Sequence, residues 1–217
     1  MNKTGGNDNR GISTQIKNPD LIRKRRKQII DAVVPLFIEK GFHKTTTRQI
    51  ALAAGFSIGT LYEYVACKED VLYLVCEDIH DKVAEGIGHV LSSHKEGREA
   101  LSAIIREYFT VCHRMSDVIL LMYQETHALP SQWIEKVLTN ELRITGIIQE
   151  ALHRIFPSSE TGRLNTAGLN LIAHNITVLG HMWVFRRWAL SRVFSIGEYI
   201  ELQTKLIFPE TIGSQTE

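Results

Sequence analysis

The sequence predicts an all-α fold: a short helix-turn-helix unit near the N-terminus, then a larger helical core. Apolar residues recur at three- and four-residue spacing along most of the 217 residues, and no stretch alternates as a half-buried strand would. Capping residues, glycines and prolines cut that pattern into helix-length pieces. Charge is divided as well. Residues 1–48 hold 11 Lys/Arg against 4 Asp/Glu and the rest hold 14 against 20, so the net +1 conceals a basic front and an acidic remainder. That asymmetry points to an anionic partner for the front.

The elements follow in order. The polar run MNKTGGNDNRGISTQIKN lacks the apolar centre of a signal peptide, and a disordered leader is expected over residues 1–17. Asn18-Pro19 opens the first helix, with proline where a missing N–H does no harm. Ile22, Ile29, Ile30, Val33 and Phe37 line one face and Gly41 ends it, while Pro35 forfeits the bond to the Asp31 carbonyl and should kink the last turns. Thr46 and Gln49 form a capping box for a second helix that stops at Gly55. Ser57 caps a third, IGTLYEYV, with Leu61 and Val65 turned inward. A fourth runs from about Lys68 towards His89 or Leu91. Five more are expected over 98–115, 117–128, 131–155, 163–190 and 195–208, punctuated by Gly97, Pro130, Pro157 and Ser195-Ile196-Gly197.

Some chemistry is set aside at this level. The apolar stretch Leu169 to Phe185 is interrupted by His174, Asn175 and His181, so it reads as a buried helix and not a membrane span; a cytoplasmic protein is expected. Cys67, Cys76 and Cys112 form no C-x-x-C pair and read as small buried hydrophobes. No cofactor and no metal site are expected. His174 and His181, seven apart on one helix, stand roughly 10 Å from each other, too far to chelate one ion. Gly55-Phe56-Ser57-Ile58-Gly59 matches G-x-S-x-G, the pattern of a hydrolase nucleophile elbow. An elbow joins a buried strand to a helix. Here a capped helix precedes it, so Ser57 reads as a helix cap and no enzyme activity is expected.

With these landmarks in place, the stretch IIDAVVPLFIEKGFHKTTTRQIALAAGFSIGTLYEYVACKEDVLY resembles the DNA-binding domain of the tetracycline-repressor (TetR) family. Ala32, Phe37, Gly41, Thr46-Thr47, Ile50-Ala51, Ala54-Gly55, Thr60-Leu61-Tyr62, Tyr64 and Lys68 carry the likeness. The resemblance implies an all-helical homodimer: a leader (1–17), a three-helix DNA-binding domain (18–66) and a regulatory and dimerisation domain (67–217). It implies a repressor that binds a palindromic operator in double-stranded DNA, with no membrane partner; a small hydrophobic, acyl-type effector is expected from the apolar core helices and Arg186-Arg187 of MWVFRRW. A helical ligand-binding or protein-interaction module without specific DNA binding is the alternative. Three positions depart from the family pattern: Val65, Ala66-Cys67 and Pro35. Loss of an oxygen-bearing cap at Cys67 should cost about 1 kcal/mol and loosen the hinge after the third helix.

Site residues follow from placing the third helix in a major groove. Ser57, Ile58, Gly59 and Thr60 are expected at base edges, with Thr60 able to meet a thymine methyl. Tyr62, Tyr64, Lys68, Thr46, Thr47 and Arg48 are expected at phosphates, and Arg23, Arg25, Arg26 and Lys27 add diffuse attraction. For the effector, Tyr108, Phe109, Met122, Tyr123, Glu125, His127, Trp133, Asn175, His181, Met182 and Phe185 are candidates, as aromatics or as polar groups amid apolar helices. Arg186-Arg187 could meet an anionic head group or a dimer seam. The dimer face is expected on the last two helices at Leu171, Val178, Trp188, Tyr199, Leu202 and Leu206.

Overall fold

A computed structural model describes residues 11–14, 16–92, 97–156 and 165–208. Among these residues the chain is all-α: α1 Pro19–Lys40, α2 Thr47–Ala53, α3 Ile58–Tyr62, α4 Lys68–Leu91, α5 Gly97–Arg114, α6 Ser116–Glu125, a 3-10 turn Thr126–Ala128, α7 Ser131–Ile155, α8 Thr166–Leu190 and α9 Ile196–Ile207. None of them is long and apolar enough to cross a membrane. The chain packs as two compact units, one of residues up to Ile79 with Leu120–Leu138, the other His80–Ile119 with Thr139–Glu217. The division falls within α4, between Ile79 and His80.

The first unit is built around α1. The Asn18 side chain accepts the Asp20 and Leu21 amides and starts the helix. Its inward stripe of Ile22, Ile29, Ile30, Val33 and Phe37 is buried, while the exposed Pro35 does not end it. A proline on the wet face leaves its orphaned carbonyl to solvent. The described end of the expected leader is packed: Ile12 and Thr14 are buried, and the Thr14 hydroxyl donates to the Glu63 carbonyl at 2.7 Å. Residues 1–10 and 15 of that leader lie outside the described residues. Arg26 is buried as well, donating from Nε to the Tyr64 carbonyl at 3.1 Å and from Nη2 to Ile12 at 3.0 Å. It is a structural clamp, not part of a solvated basic run.

The start of α4 corrects another expectation. Asp70 Oδ2 accepts the Ala66 and Cys67 amides at 2.8 and 3.3 Å, so the cap missing at Cys67 is supplied from one turn inside the helix. In the second unit, α5, α8 and α9 pack around Phe109, Cys112, Ile176 and Trp183. The Trp183 indole donates to His113 Nδ1 at 2.9 Å and the Tyr199 hydroxyl to the Leu179 carbonyl at 2.7 Å. The three cysteines are free, and burial raises the Cys76 and Cys112 thiols to about 12 and Cys67 to about 11.

Candidate nucleic-acid interface

Local chemistry alone turns α2 into α3. The Thr46 hydroxyl accepts the Gln49 amide at 3.3 Å, and the Gln49 side chain accepts the Thr46 amide at 2.9 Å. At the other end, Phe56 N–H reaches Ala51 O at 2.8 Å and Gly55 N–H reaches Leu52 O at 3.1 Å. This pair of bonds closes a helix only if the residue between takes a left-handed conformation, and Gly55 has φ +70°. Ser57 then caps α3, its Oγ accepting the Thr60 amide at 3.0 Å and lying 2.9 Å from Thr60 Oγ1. The serine of G-x-S-x-G therefore follows a helix and holds the next one.

The fully buried Leu61 pins the inner side of α3, leaving Ser57, Ile58 and Gly59 exposed and Thr60 half-buried. The exposed Tyr62 donates its hydroxyl to Thr47 Oγ1 at 3.3 Å, tying α3 to the start of α2. Thr46 and Arg48 are exposed, and Arg48, Ala51, Leu52, Phe56 and Ile58 line a surface groove between the two helices.

One of the ten expected contacts, Tyr64, is corrected. Tyr64 is only 4% exposed, with its ring 6.2 Å from Phe56. α3 ends at Tyr62, three residues before the expected Val65, so Tyr64 falls in the turn beneath the helix and belongs to the core. Lys68 donates to the carbonyls of Phe42 and His43 at 2.9 and 3.3 Å and stands 4.3 Å over the Phe42 ring. Its ammonium braces the loop before α2.

The expected effector residues fall in both units. Met122, Tyr123, Glu125, His127 and Trp133 belong to the first unit, and Tyr108, Phe109, Asn175, His181, Met182 and Phe185 to the second. Trp133 is core, stacked 4.2 Å from Tyr73 with its indole donating to Asp70 Oδ1. In the second unit Tyr108 OH lies 3.0 Å from His181 Nε2, and Glu141 Oε1 and Oε2 lie 3.6 and 3.1 Å from the Nε2 atoms of His181 and His80. Burial, before any charge, lowers the His181 pKa, and Glu141 opposes that shift. His80 Nδ1 is buried with no hydrogen-bond partner among the described residues. Asn175 and Phe185 stand on the exposed side of α8. Sequence reasoning passed over most of a cleft of about 340 Å³ between Lys82, Glu85, Gly86 and His89 of α4 and Glu107, Val111, Arg114 and Met115 of α5. No spacing rule marks it, because its lining is mostly ordinary charged helix surface.

Of the expected dimer residues, Tyr199 is corrected to core. It is 3% exposed, with its ring 5.0 Å from Trp183 and 5.7 Å from Phe109. Leu171, Val178, Trp188, Leu202 and Leu206 are all exposed. Leu171, Val178 and Phe185 repeat every seven residues along α8, and Ile172, Asn175, Val178, Leu179, Gln203, Leu206 and Ile207 line a groove between α8 and α9. Arg187 pairs with Asp117, and Arg186 lies 5.5 Å over the Trp188 ring.

Comparison with known proteins agrees with this geometry. Residues 29–73, which contain α2, α3 and the start of α4, match the family of bacterial regulatory proteins described as the tetR family. The HTH-type transcriptional regulator HbdR of Aromatoleum sp. (strain CIB) is 27% identical over 190 residues, covering 88% of this chain and 82% of that protein. The fatty acid metabolism regulator protein of Bacillus subtilis (strain 168) is 28% identical over 134 residues, 60% of this chain and 69% of its own length. The crystal structure of AibR in complex with isovaleryl coenzyme A and operator DNA shares the fold, with TM-score 0.67 and 16% identity over 85% of this chain and 98% of that one. Residues 29–73 thus match the tetR family of bacterial regulatory proteins, and the chain is similar over most of its length to an HTH-type transcriptional regulator of that kind.

Proposed function

We propose that the protein is a dimeric repressor that reads a palindromic operator with α3 and leaves it when a small acyl-type effector binds the second unit. One observation carries the DNA-reading half: the face of Ser57, Ile58 and Gly59 is open on a short helix whose other side is pinned by Leu61. Thr46, Thr47, Arg48 and Tyr62 flank that face at the start of α2 and the end of α3 and serve the phosphates, while Thr60 serves the bases. Two such faces in a dimer reach half-sites about 34–36 Å apart. The apolar side of α8 and α9 is the surface for pairing, since a patch of that extent is seldom left in water.

The cleft between α4 and α5 is the entry for the effector. Val111 and Met115 give an apolar wall, and Lys82 and Arg114 border it with positive charge suited to a carboxylate or phosphate head group. Tyr108, His181, Glu141 and His80 supply polar partners in the same unit. A ligand there presses on α4, the helix that begins beside the DNA-binding elements, and changes the separation of the two α3 faces. The B. subtilis relative acts in fatty acid metabolism by its name, and AibR binds isovaleryl coenzyme A; both favour an acyl ligand here.

Selection of bound fragments from random DNA, repeated across salt concentrations, tests the first half. An inverted repeat with a steep salt dependence is expected. Acyl-CoA thioesters of graded chain length, added to the selected duplex, test the second by its release. Binding without sequence preference, or a complex that no acyl-CoA or free fatty acid dissolves, overturns the corresponding half.

A further inference from the structure

We infer that the first unit holds a divalent transition-metal ion, zinc foremost, between His43, Glu125 and His127. His43 lies in the loop between α1 and α2, Glu125 ends α6, and His127 is in the 3-10 turn that follows. One ligand atom from each lies within 4.8 Å of the others. In an α-helix Glu125 and His127, two residues apart, would point away from each other. The tightening of the chain into a 3-10 turn brings both to the side where His43 stands.

The detailed geometry fits ligands of one ion better than a hydrogen-bonded pair. His43 Nε2 is 3.3 Å from Glu125 Oε2, yet that carboxylate oxygen is buried with no hydrogen-bond partner among the described residues. A buried anionic oxygen without a partner is costly. Zinc bonds nitrogen and carboxylate oxygen at about 2.0–2.2 Å, which puts two donors of a tetrahedral ion about 3.3–3.5 Å apart. The His43–Glu125 distance already meets that, and the third donor, on the exposed His127 ring, lies within 4.8 Å of both. Two imidazoles and a carboxylate select zinc or its late first-row neighbours over magnesium or calcium, and leave a fourth position for water.

His43 is positioned as a ligand by its surroundings. Its carbonyl accepts from Lys68 Nζ, and its ring stands edge-on to the buried Phe42 at 5.3 Å. It precedes the α2 cap, Thr46, by three residues. The ion therefore ties the loop that starts α2 to the turn after α6. Metal binding stands independently of the regulatory reading; a consequence for operator affinity would rest on it.

Zinc chloride titrated into the metal-free full-length chain against a chromophoric indicator tests the site. One zinc per chain is expected at micromolar affinity or tighter, and His43→Ala, Glu125→Gln and His127→Ala should each weaken it by about 10–100-fold or more. His174→Ala should not. Cobalt in place of zinc should give the intense visible bands of a four-coordinate ion, absent from His127→Ala. Circular dichroism checks that each variant is folded. A chain that retains no zinc, or a His43→Ala/His127→Ala double variant that binds as the parent does, overturns the site whatever the outcome of the DNA selection.

Discussion

Trp133 donates its indole N–H to Asp70 Oδ1 at 3.0 Å, while Oδ2 of the same carboxylate accepts the amides of Ala66 and Cys67. One buried side chain thus caps α4 and fastens the start of α7 to it. Asp70→Ala removes the cap and strands a buried indole donor, at a cost of about 2 kcal/mol or more in urea unfolding. In a Trp133→Phe background the same change should cost distinctly less, because only the cap is then lost. Equal costs in both backgrounds would mean that the two residues are uncoupled.

Gly180 lets α8 pack closely against α5. A Cβ built there would lie 2.5 Å from Tyr108 Cε1 and 3.1 Å from Cys112 Sγ. Tyr108 cannot swing aside without breaking its contacts with His181 and the Thr177 carbonyl. Gly180→Ala should therefore destabilise by about 1–3 kcal/mol despite the better helix propensity of alanine. A melting temperature equal to or above the parent's would show that the helices separate freely.

Burial holds the His181 imidazole neutral more firmly than in the unfolded chain, lowering its pKa below the usual 6.5. The unfolded state then takes up this proton first as pH falls. Stability from His181 is intact above about pH 6.5, declines below it, and levels off once the folded form also protonates. Between pH 7.5 and pH 5 the parent should lose more stability than His181→Gln, which keeps a polar partner for Tyr108 without titrating. Parallel losses in the two proteins would remove His181 from the acid response.

Much of this architecture was readable because it is local. Asn18, Thr46, Ser57 and Ser195 each accept an amide two or three residues on, and Gly55 takes the left-handed turn its position implied. The errors concern partners distant in sequence. Nothing near Cys67 says that Asp70 will also meet Trp133, 63 residues later. Tyr64 and Tyr199 carry the same apolar-plus-hydroxyl chemistry as a surface contact, and only tertiary packing puts them inside. The His43–Glu125–His127 cluster joins residues about 80 positions apart through a 3-10 turn, and no spacing rule anticipates it.

On DNA, the exposed Arg48 and the buried Tyr64 should behave oppositely. Arg48→Ala should lower affinity for the selected duplex and reduce the slope of log affinity against log salt by about 1, as the loss of one phosphate contact does. Tyr64→Phe should leave both unchanged, since its ring is sealed beneath α3. A slope that drops in Tyr64→Phe and not in Arg48→Ala would return the tyrosine to the interface.

The pairing surface can be tested without DNA. Val178 and Leu206 line one groove between α8 and α9, both well exposed, and Leu206 retains 73% of its accessible surface. If that face joins two chains, each residue is buried twice per dimer, and a carboxylate at either position places two charges in a dry interface. Desolvating an unpaired carboxylate costs several kcal/mol, so Val178→Glu or Leu206→Glu should shift a species of about twice 24.6 kDa to the monomer in light scattering. Neither change touches the buried core of the second unit, so helical circular dichroism should persist. Glu substituted at the exposed Leu52, on α2, serves as the control and should leave the mass unchanged. A Leu206→Glu protein that remains dimeric at low micromolar concentration would move the interface to another face of the chain.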